Sequence, residues 1–263
     1  IQPVSFFNFG VINMKQTILI TGSTGTVGQE VVKGLLNKDV TIKVGVRHAD
    51  KIKNHAWANS VEVMHLDYDE PEGWTNALSG VEKLFLITPA GSYQEAVISE
   101  HAVNAAVKAN VKHIVRVSGM GANEHNLFGE HQAADDLLMG SSIDYTALQP
   151  NVFNQNFYNF STTIKEEHKI IDPAENGKVS FIDARDIAAV AVKILTEQGH
   201  ENKIYELTGG ESLHYNEVAK LFSNALGFNV TYQPLSPEKY ILAKQSIGLP
   251  PEITERFIQF FKW

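Results

Sequence analysis

A glycine-rich turn near the amino end of the chain carries the strongest chemical signal in the sequence. It reads Thr21-Gly22-Ser23-Thr24-Gly25-Thr26-Val27-Gly28 and separates an apolar strand-like run from a helical pattern. A diphosphate needs backbone N–H donors at close range with no Cβ in the way, and a helix start adds its positive dipole end. We assign Gly22 to the tight turn, Gly25 to the approach of the pyrophosphate and Gly28 to helix packing. The predicted dinucleotide-binding residues are Gly22, Ser23, Thr24, Gly25, Thr26, Val27 and Gly28, the alternative being a turn without a ligand.

Two charged residues stand at the ends of the next strand-like runs. Arg47 ends the second run, where NAD-specific proteins of this kind usually offer a carboxylate to the ribose 2′-hydroxyl. A guanidinium there, with His48 and Lys51 nearby, favours the 2′-phosphate of NADP(H) over NAD(H); a solvated arginine is the alternative. Asp67 follows the third run, and its carboxylate suits either the adenine amino group or the cap of the next turn.

Polar loops follow the fourth and fifth strand-like runs. The first reads Thr88-Pro89-Ala90-Gly91 and the second Ser118-Gly119-Met120-Gly121. Because ligands of open α/β sheets bind at the carboxyl ends of the strands, we expect both loops to face the nicotinamide end of the cofactor. Thr88 and Pro89 are therefore predicted to bind the cofactor and Ser118 to be catalytic. Ordinary turn chemistry is the alternative.

An Asn- and aromatic-rich segment, 151–160, follows the sixth strand-like run. Aromatic faces can stack on a flat substrate, and Asn side chains can donate to its carbonyls. We predict substrate contacts from Asn151, Phe153 and Phe157. Packing of these aromatics against the rest of the protein is an equal alternative.

From Met14 onward, short apolar runs alternate with helical patterns, which indicates βαβ units and a parallel sheet. The strand candidates are Thr17–Thr21, Thr41–Arg47, Val61–His65, Lys83–Thr88, His113–Ser118 and Tyr145–Gln149, and the helix candidates among them are Glu30–Leu36, Glu95–Ala109 and Gly129–Met139. Later come helices at Arg185–Leu195 and Asn216–Leu226 and strands at Ile204–Leu207 and Val230–Gln233.

These elements predict an α/β fold: a Rossmann-type doubly wound parallel sheet over residues 14–150 and a smaller C-terminal α+β cap over residues 151–263. The cap is not expected to be strictly separable from the sheet. Residues 1–13 are expected to be an extension or a tag remnant, because Met14 directly precedes the first strand-like run. The apolar helical pattern at 257–263 has no cap, which leaves open whether the natural chain continues past Trp263.

Composition narrows the class of protein. The 263 residues are 43% hydrophobic and 20% charged, and 22 basic against 30 acidic residues give a net charge of -8, which disfavours nucleic acid and anionic membranes. The lack of cysteine excludes thiolate chemistry and fits a reducing, cytoplasmic setting. No run approaches the roughly 20 apolar residues of a membrane-spanning helix. The histidines have no metal-ligand spacing, so no metal is expected.

The motifs together resemble the NmrA-like family, an atypical branch of the short-chain dehydrogenases/reductases. The resemblance covers nearly the whole chain from Met14, and its motifs are the 21–28 turn, Arg47, Leu66-Asp67-Tyr68, Ile114–Ser118, Asp144–Pro150, Phe181–Ala188 and Tyr205–Gly209. The glycine turn alone is shared by many reductases and epimerases, whereas the full set in this order is more selective. The resemblance implies an NAD(P)-binding fold whose members include quinone reductases, dye reductases and redox-sensing regulators without turnover.

The chain departs from the wider superfamily at the usual Tyr-x-x-x-Lys pair, in which a lysine lowers the pKa of a phenol acid. Leu127 stands where the tyrosine belongs, and His131 resembles the occupant of the lysine position. The Tyr-x-x-x-Lys at Tyr240–Lys244 lies far beyond the sheet and is taken as chance spacing. The resemblance implies that His131 is catalytic and contacts the cofactor, by a hydrogen bond to the nicotinamide ribose or a substrate carbonyl. Asp135, one helical turn later, is expected to orient it; a histidine with a purely structural partner is the alternative.

Three functions fit these residues. The first is NADPH-dependent hydride transfer to a quinone or similar planar conjugated acceptor, because hydride addition there gives a delocalised anion that demands little of a proton donor. The second is an NAD(P)-binding redox sensor or regulator without turnover. The third, a sugar-nucleotide epimerase-like enzyme, normally needs the missing tyrosine. The expected partner is a small-molecule acceptor of unknown identity, and a homodimer or a regulatory protein partner is left open.

Overall fold

The computed structural model describes residues 15–89, 94–121, 129–246 and 248. The predicted extension at 1–13, the C-terminal helical pattern at 257–263, and Ala90, Gly91 and Leu127 lie outside the described residues. Within the described part the strands are Gln16–Ile20 (β1), Val40–Val46 (β2), Glu62–His65 (β3), Lys83–Leu86 (β4), His113–Val117 (β5), Asp144–Pro150 (β6), Lys169–Asp172 (β7), Lys178–Val179 (β8), Lys203–Leu207 (β9), Leu213–His214 (β10) and Thr231–Pro234 (β11).

Seven of the described strands form one sheet in the order β3-β2-β1-β4-β5-β6-β9, and every neighbouring pair is parallel. The order reverses at β1, where Ile20 pairs with Val44 of β2 on one side and with Phe85 of β4 on the other. Successive strands therefore wind outward from β1 in both directions, which opens a crevice at its carboxyl end. The prediction of a Rossmann-type doubly wound parallel sheet is confirmed.

Helices cover both faces of this sheet. In chain order the α-helices of the described residues are Gly28–Leu35 (α1), Pro71–Ala77 (α2), Glu95–Lys108 (α3), Gly129–Met139 (α4), Ser161–Glu167 (α5), Ala184–Thr196 (α6), Tyr215–Leu226 (α7) and Pro237–Ser246 (α8). Side chains alternate between the faces along each strand, so Ile18 and Ile20 enter the core under α1 and α6. Leu19 enters the opposite core under α2, α3 and α4.

The smaller part of the molecule is an α+β unit with its own core. β7 pairs parallel with β11, and β8 pairs antiparallel with β10. Its core contains Ile164, Ile170, Phe181 and Tyr215. Backbone bonds attach it just beyond β6 and β9, where Gly209 N donates to Ser180 O at 3.2 Å. The cap is therefore joined to the sheet at the carboxyl ends of two strands.

The second half of the chain serves both parts of the molecule. β9 is the seventh strand of the main sheet, beside β6, and α6 packs against α1 on one of its faces. Both elements come from residues assigned by sequence to the cap. Residues 151–263 thus supply one strand and one helix to the main sheet and also form the cap.

A buried histidine lies at the amino edge of the sheet. His113, at the start of β5, is 2% exposed, and its Nε2 lies 2.8 Å from Thr146 Oγ1. The Thr146 hydroxyl donates to His200 O at 2.6 Å, so Nε2–H of His113 must donate to Thr146. Burial and the nearby charge of Lys83 lower the pKa of His113 to about 4. The ring is therefore neutral in the folded protein at neutral pH.

This histidine predicts an acid-sensitive stability. The folded pKa lies below the ordinary value of 6.5, so on acidification the unfolded chain binds a proton first. Stability should fall between pH 6.5 and about 4, by up to about 3 kcal/mol from this residue. His113→Gln keeps an N–H donor and removes the titration. Urea unfolding across this pH range should show a shallower loss in the variant, and identical slopes would contradict the assignment.

Candidate functional site

The glycine turn lies at the carboxyl end of β1, at the reversal of strand order. Gly22 has a positive φ of 58°, and a Cβ there would lie 2.3 Å from Ile87 Cγ2. A Cβ on Gly28 would lie 2.2 Å from the carbonyl oxygen of Gly22. Both glycines are thus required for the turn to close against β4 and for α1 to start beneath it. These contacts give a physical reason for the turning and packing roles assigned to Gly22 and Gly28.

The crest of the turn is open. Thr24, Gly25 and Thr26 are exposed, whereas Ser23 and Val27 are buried. Gly25 N donates to Gly22 O at 2.9 Å, and a Cβ on Gly25 would meet only that oxygen within 4 Å, at 3.2 Å. Val27, the residue before α1, makes no side-chain capping bond. The buried Ser23 hydroxyl has no hydrogen-bond partner among the described residues. An open crest over an uncapped helix start fits a diphosphate.

A threonine hydroxyl joins the two strands at the reversal. Thr21 Oγ1 accepts from Ile87 N at 2.9 Å and lies 3.1 Å from Ile87 O, to which it can donate. Thr21 N donates to Phe85 O at 3.0 Å. The Tyr68 hydroxyl also donates to Ile87 O, at 3.0 Å. The end of β1 is therefore held against the loop after β4.

Arg47 and Asp67 lie beside each other, beyond β2 and β3. Arg47 Nε is 3.9 Å from Asp67 Oδ2, and the side chains are 56% and 20% exposed. Asp67 Oδ1 accepts from the backbone N–H of Asp69 at 3.3 Å, a bond that stabilises the local turn. The turn-capping interpretation of Asp67 thus has a geometric basis, and its contact with adenine stays a prediction. The Arg47 guanidinium is accessible to a ligand.

Three side chains converge on one carboxylate between the loop after β4 and α4. Glu95, the first residue of α3, has a side chain that is 4% exposed. Its Oε1 accepts from Thr88 Oγ1 at 2.8 Å, lies 2.8 Å from His131 Nδ1 and binds Arg116 Nη2. Burial raises the pKa of Glu95, but the hydrogen bond from His131 and the charge of Arg116 together lower this pKa by more than burial raises it. The pKa of Glu95 is therefore below its ordinary value. His131 itself is 26% exposed.

A second carboxylate engages the rest of the cluster. Asp135 Oδ1 binds Arg116 Nη1, and Asp135 Oδ2 accepts from Ser118 Oγ at 2.8 Å and from Gln149 Nε2 at 3.3 Å. Arg116 and Ser118 share a face of β5 and its extension, which brings both to α4. Asp135 was expected to orient His131, whereas the structure gives that contact to Glu95. Asp135 holds Arg116 and Ser118 in place.

Sequence reasoning missed Glu95 and Arg116 as site residues. A signal was present: Arg116 is the single charge in the short apolar strand His-Ile-Val-Arg-Val, and a charge in a buried strand needs a carboxylate partner. Nothing in the spacing identified Glu95 as that partner. The two residues are 21 positions apart and meet because α3 starts at the carboxyl edge of the sheet and β5 returns the chain to that edge.

The three residues predicted to bind the acceptor, Asn151, Phe153 and Phe157, lie in different parts of the molecule. Asn151 N donates to Leu207 O, and its Nδ2 lies 3.6 Å from Met120 Sδ, so it borders the loop after β5. Phe153 packs against the sheet core. Phe157 packs within the cap against Phe181, with ring centroids 4.9 Å apart. Pro89 is exposed at the end of a described segment. The structure brings Asn151 to the edge where Ser118 lies, and Phe157 belongs to the cap core.

No helix among the described residues is long and apolar enough to cross a membrane. Likewise, residues 15–89, 94–121 and 129–246 contain no group of three or more His, Asp or Glu side chains arranged to hold a metal ion.

The strand order of the parallel sheet reverses at β1, and the glycine turn lies at this switch point. These two features define an α/β protein of the dinucleotide-binding Rossmann class. The NmrA-like family model matches residues 14–263, and the chain belongs to this family.

Named relatives span most of the chain. An NAD(P)H azoreductase of Xenophilus azovorans is 36% identical over 250 residues, covering 93% of this chain and 86% of the relative. The structure of an NADPH-dependent quinone oxidoreductase from Escherichia coli, complexed with NADPH, has a TM-score of 0.81 and 34% identity and covers 91% of this chain and 86% of that one. Triphenylmethane reductase of Citrobacter sp. complexed with NADP(H) also has a TM-score of 0.81, with 31% identity over 93% of this chain and 88% of that one.

The closeness of Gly28 to Gly22 gives a test of the turn. Gly28→Ala would place a methyl group 2.2 Å from a backbone oxygen, so the turn or the helix must shift. We expect the free energy of unfolding to fall by about 1–3 kcal/mol in urea titrations. Gly210→Ala is the matched control, because a Cβ there meets nothing within 4 Å. Equal stabilities of the two variants would contradict this packing.

Proposed function

We propose that this protein transfers hydride from NADPH to a quinone or a similar planar conjugated acceptor. The observation that carries the proposal is the open Gly25 crest at the switch point of the sheet, directly before an uncapped helix start. The names of the azoreductase and quinone oxidoreductase relatives support the class of acceptor. Bound NADPH would supply the hydride.

The cofactor would be held at two places. Backbone N–H groups of the 24–28 segment other than that of Gly25, which donates to Gly22 O, would bind the pyrophosphate, because no side chain obstructs Gly25. Arg47 would bind the 2′-phosphate, because its guanidinium is half-exposed and its carboxylate neighbour Asp67 lies at 3.9 Å, beyond hydrogen-bond length.

His131 and Ser118 would take different parts in the chemistry. Ser118 donates its hydroxyl hydrogen to Asp135, so it offers a ligand lone pairs rather than a proton. His131 is partly exposed and oriented through Nδ1, which suits it to bind the acceptor or the nicotinamide ribose. Hydride addition to a quinone produces a delocalised anion that one hydrogen bond can stabilise, and a proton taken up from solvent water then completes the hydroquinone. Asn151 Nδ2, whose partner among the described residues is the weakly accepting sulfur of Met120, is suited to donate to the second carbonyl.

The activity is tested by NADPH oxidation with a naphthoquinone. The wild type should consume NADPH in proportion to added quinone.

Binding of the cofactor by the glycine turn is tested with Gly25→Val. This variant should lose NADPH binding in calorimetry while its circular dichroism spectrum is unchanged.

His131→Ala should lower kcat by about 10- to 100-fold and weaken NADPH binding by less than that. Tight NADPH binding with no turnover of quinones, azo dyes or aldehydes would refute the reductase proposal in favour of the sensor.

Cofactor choice is tested at Arg47. An exposed, charge-assisted contact to the 2′-phosphate should favour NADPH over NADH by about tenfold at low salt, and the preference should shrink as salt rises. Arg47→Ala should weaken NADPH binding by about that factor and leave NADH unchanged. Lys38→Ala, which removes an exposed charge near the amino end of β2, is the matched control. Equal Kd values for both cofactors in the wild type would overturn the preference.

A further inference from the structure

A fully buried guanidinium lies beneath the candidate site. Arg116 has 0% exposure, and its two terminal nitrogens bind carboxylates from different helices, Glu95 of α3 and Asp135 of α4. A buried cation is strongly unfavourable unless it is paired and hydrogen-bonded, so these contacts fix both helices relative to β5. Arg116 thus sets the separation between the loop after β4 and the start of α4.

The two carboxylates differ in what they reach. Oδ2 of Asp135 accepts hydrogen bonds from Ser118 and Gln149, and both of these residues are buried. Glu95 reaches outward to His131, which is 26% exposed. Glu95 is therefore the point at which the buried cluster contacts a side chain accessible to ligand.

The protonation state of Glu95 determines which ring nitrogen of His131 carries a hydrogen. The hydrogen bond from His131 and the charge of Arg116 outweigh burial and lower the pKa of Glu95, so this carboxyl is ionised at neutral pH. An ionised carboxylate only accepts hydrogen bonds. Nδ1 of His131 must then carry a hydrogen, which fixes the ring orientation and the tautomer of the neutral imidazole.

We propose that Glu95 is a positioning residue that fixes the tautomer and orientation of His131, and that Arg116 holds Glu95 in place for this purpose. The proposal rests on the proposed function, in which His131 contacts the acceptor or the nicotinamide ribose. It predicts that Glu95 affects turnover only through His131. A purely structural Glu95 would affect turnover through the packing of α3 against α4, whether or not the histidine is present.

Glu95→Gln is the informative variant, because it leaves Arg116 and Asp135 as a neutral buried pair and the protein should fold. It should lower kcat with NADPH and a naphthoquinone by about 10- to 100-fold, with the Kd for NADPH within about twofold of the wild type. In a His131→Ala background the same change should lower kcat by less than about twofold. Equal losses in both backgrounds would overturn the proposal.

Glu130→Gln is the matched control. Glu130 lies on α4 and accepts from Ala96 N of α3 at 3.4 Å, so it links the same two helices at a different atom pair from the Glu95–His131 contact. This variant should retain kcat within about twofold of the wild type. A loss as large as that of Glu95→Gln would show that helix packing, and not His131, is affected.

Imidazole nitrogen NMR provides a readout independent of turnover. The His131 signals, assigned by their loss in His131→Ala, should show the Nδ1–H form in the wild type and in Glu130→Gln, and a changed tautomer mixture in Glu95→Gln. Unchanged nitrogen shifts in Glu95→Gln would overturn the proposal. A changed tautomer in a protein without turnover would sustain the positioning role and refute the proposed function instead.

Discussion

The hydroxyl of Thr21 joins the ends of β1 and β4 at the point where the strand order reverses, and the site is organised around this junction. The reversal sends the next crossovers to opposite faces of the sheet and leaves a crevice at its edge. By bonding both polar groups of Ile87, Thr21 fixes the wall against which Gly22 turns. Tyr68 adds a bond to the same carbonyl from the loop after β3. The position of the glycine crest thus depends on contacts between three strand ends.

Much of the fold was accessible from the sequence because it depends on local patterns. Alternation of apolar strands with amphipathic helices predicted six parallel strands, and the glycine turn predicted where the crevice opens. The seventh strand was found as a strand but assigned to the cap, since nothing in Lys203–Leu207 states which sheet it joins. β7, β8 and β10 were missed, because β8 and β10 have only two residues each and β7 has four with a charged residue at either end, which leaves too little periodicity to register.

The sequence identified candidate site residues where a single residue or a short motif carries the signal, as at Gly25 and Arg47, whose roles stay predictions. The site was not predictable where chemistry depends on long-range pairing. Placing Glu95 against His131 requires α3 and α4 to pack side by side, and the burial of Arg116 requires both carboxylates at once. The cluster pairs one guanidinium with two carboxylates, so removal of Arg116 leaves two buried carboxylates uncompensated and should be strongly destabilising, whereas neutralising one carboxylate leaves a neutral pair. Arg116 should therefore tolerate substitution poorly, whatever its part in the chemistry.

The packing of α6 against α1 has a consequence for how the chain folds during synthesis. The buried face of α1, which includes Val31 and Leu35, shares a core with Ile187 and Ala191 of α6, about 150 residues later in the chain. A ribosome adding about 5–20 residues per second exposes α1 for many seconds before α6 emerges. During that interval α1 alone covers one face of the early strands, and an apolar surface stays open to chaperones or to other nascent chains. Completion of the sheet is thus deferred until α6 and β9 have been made, long after its first strand.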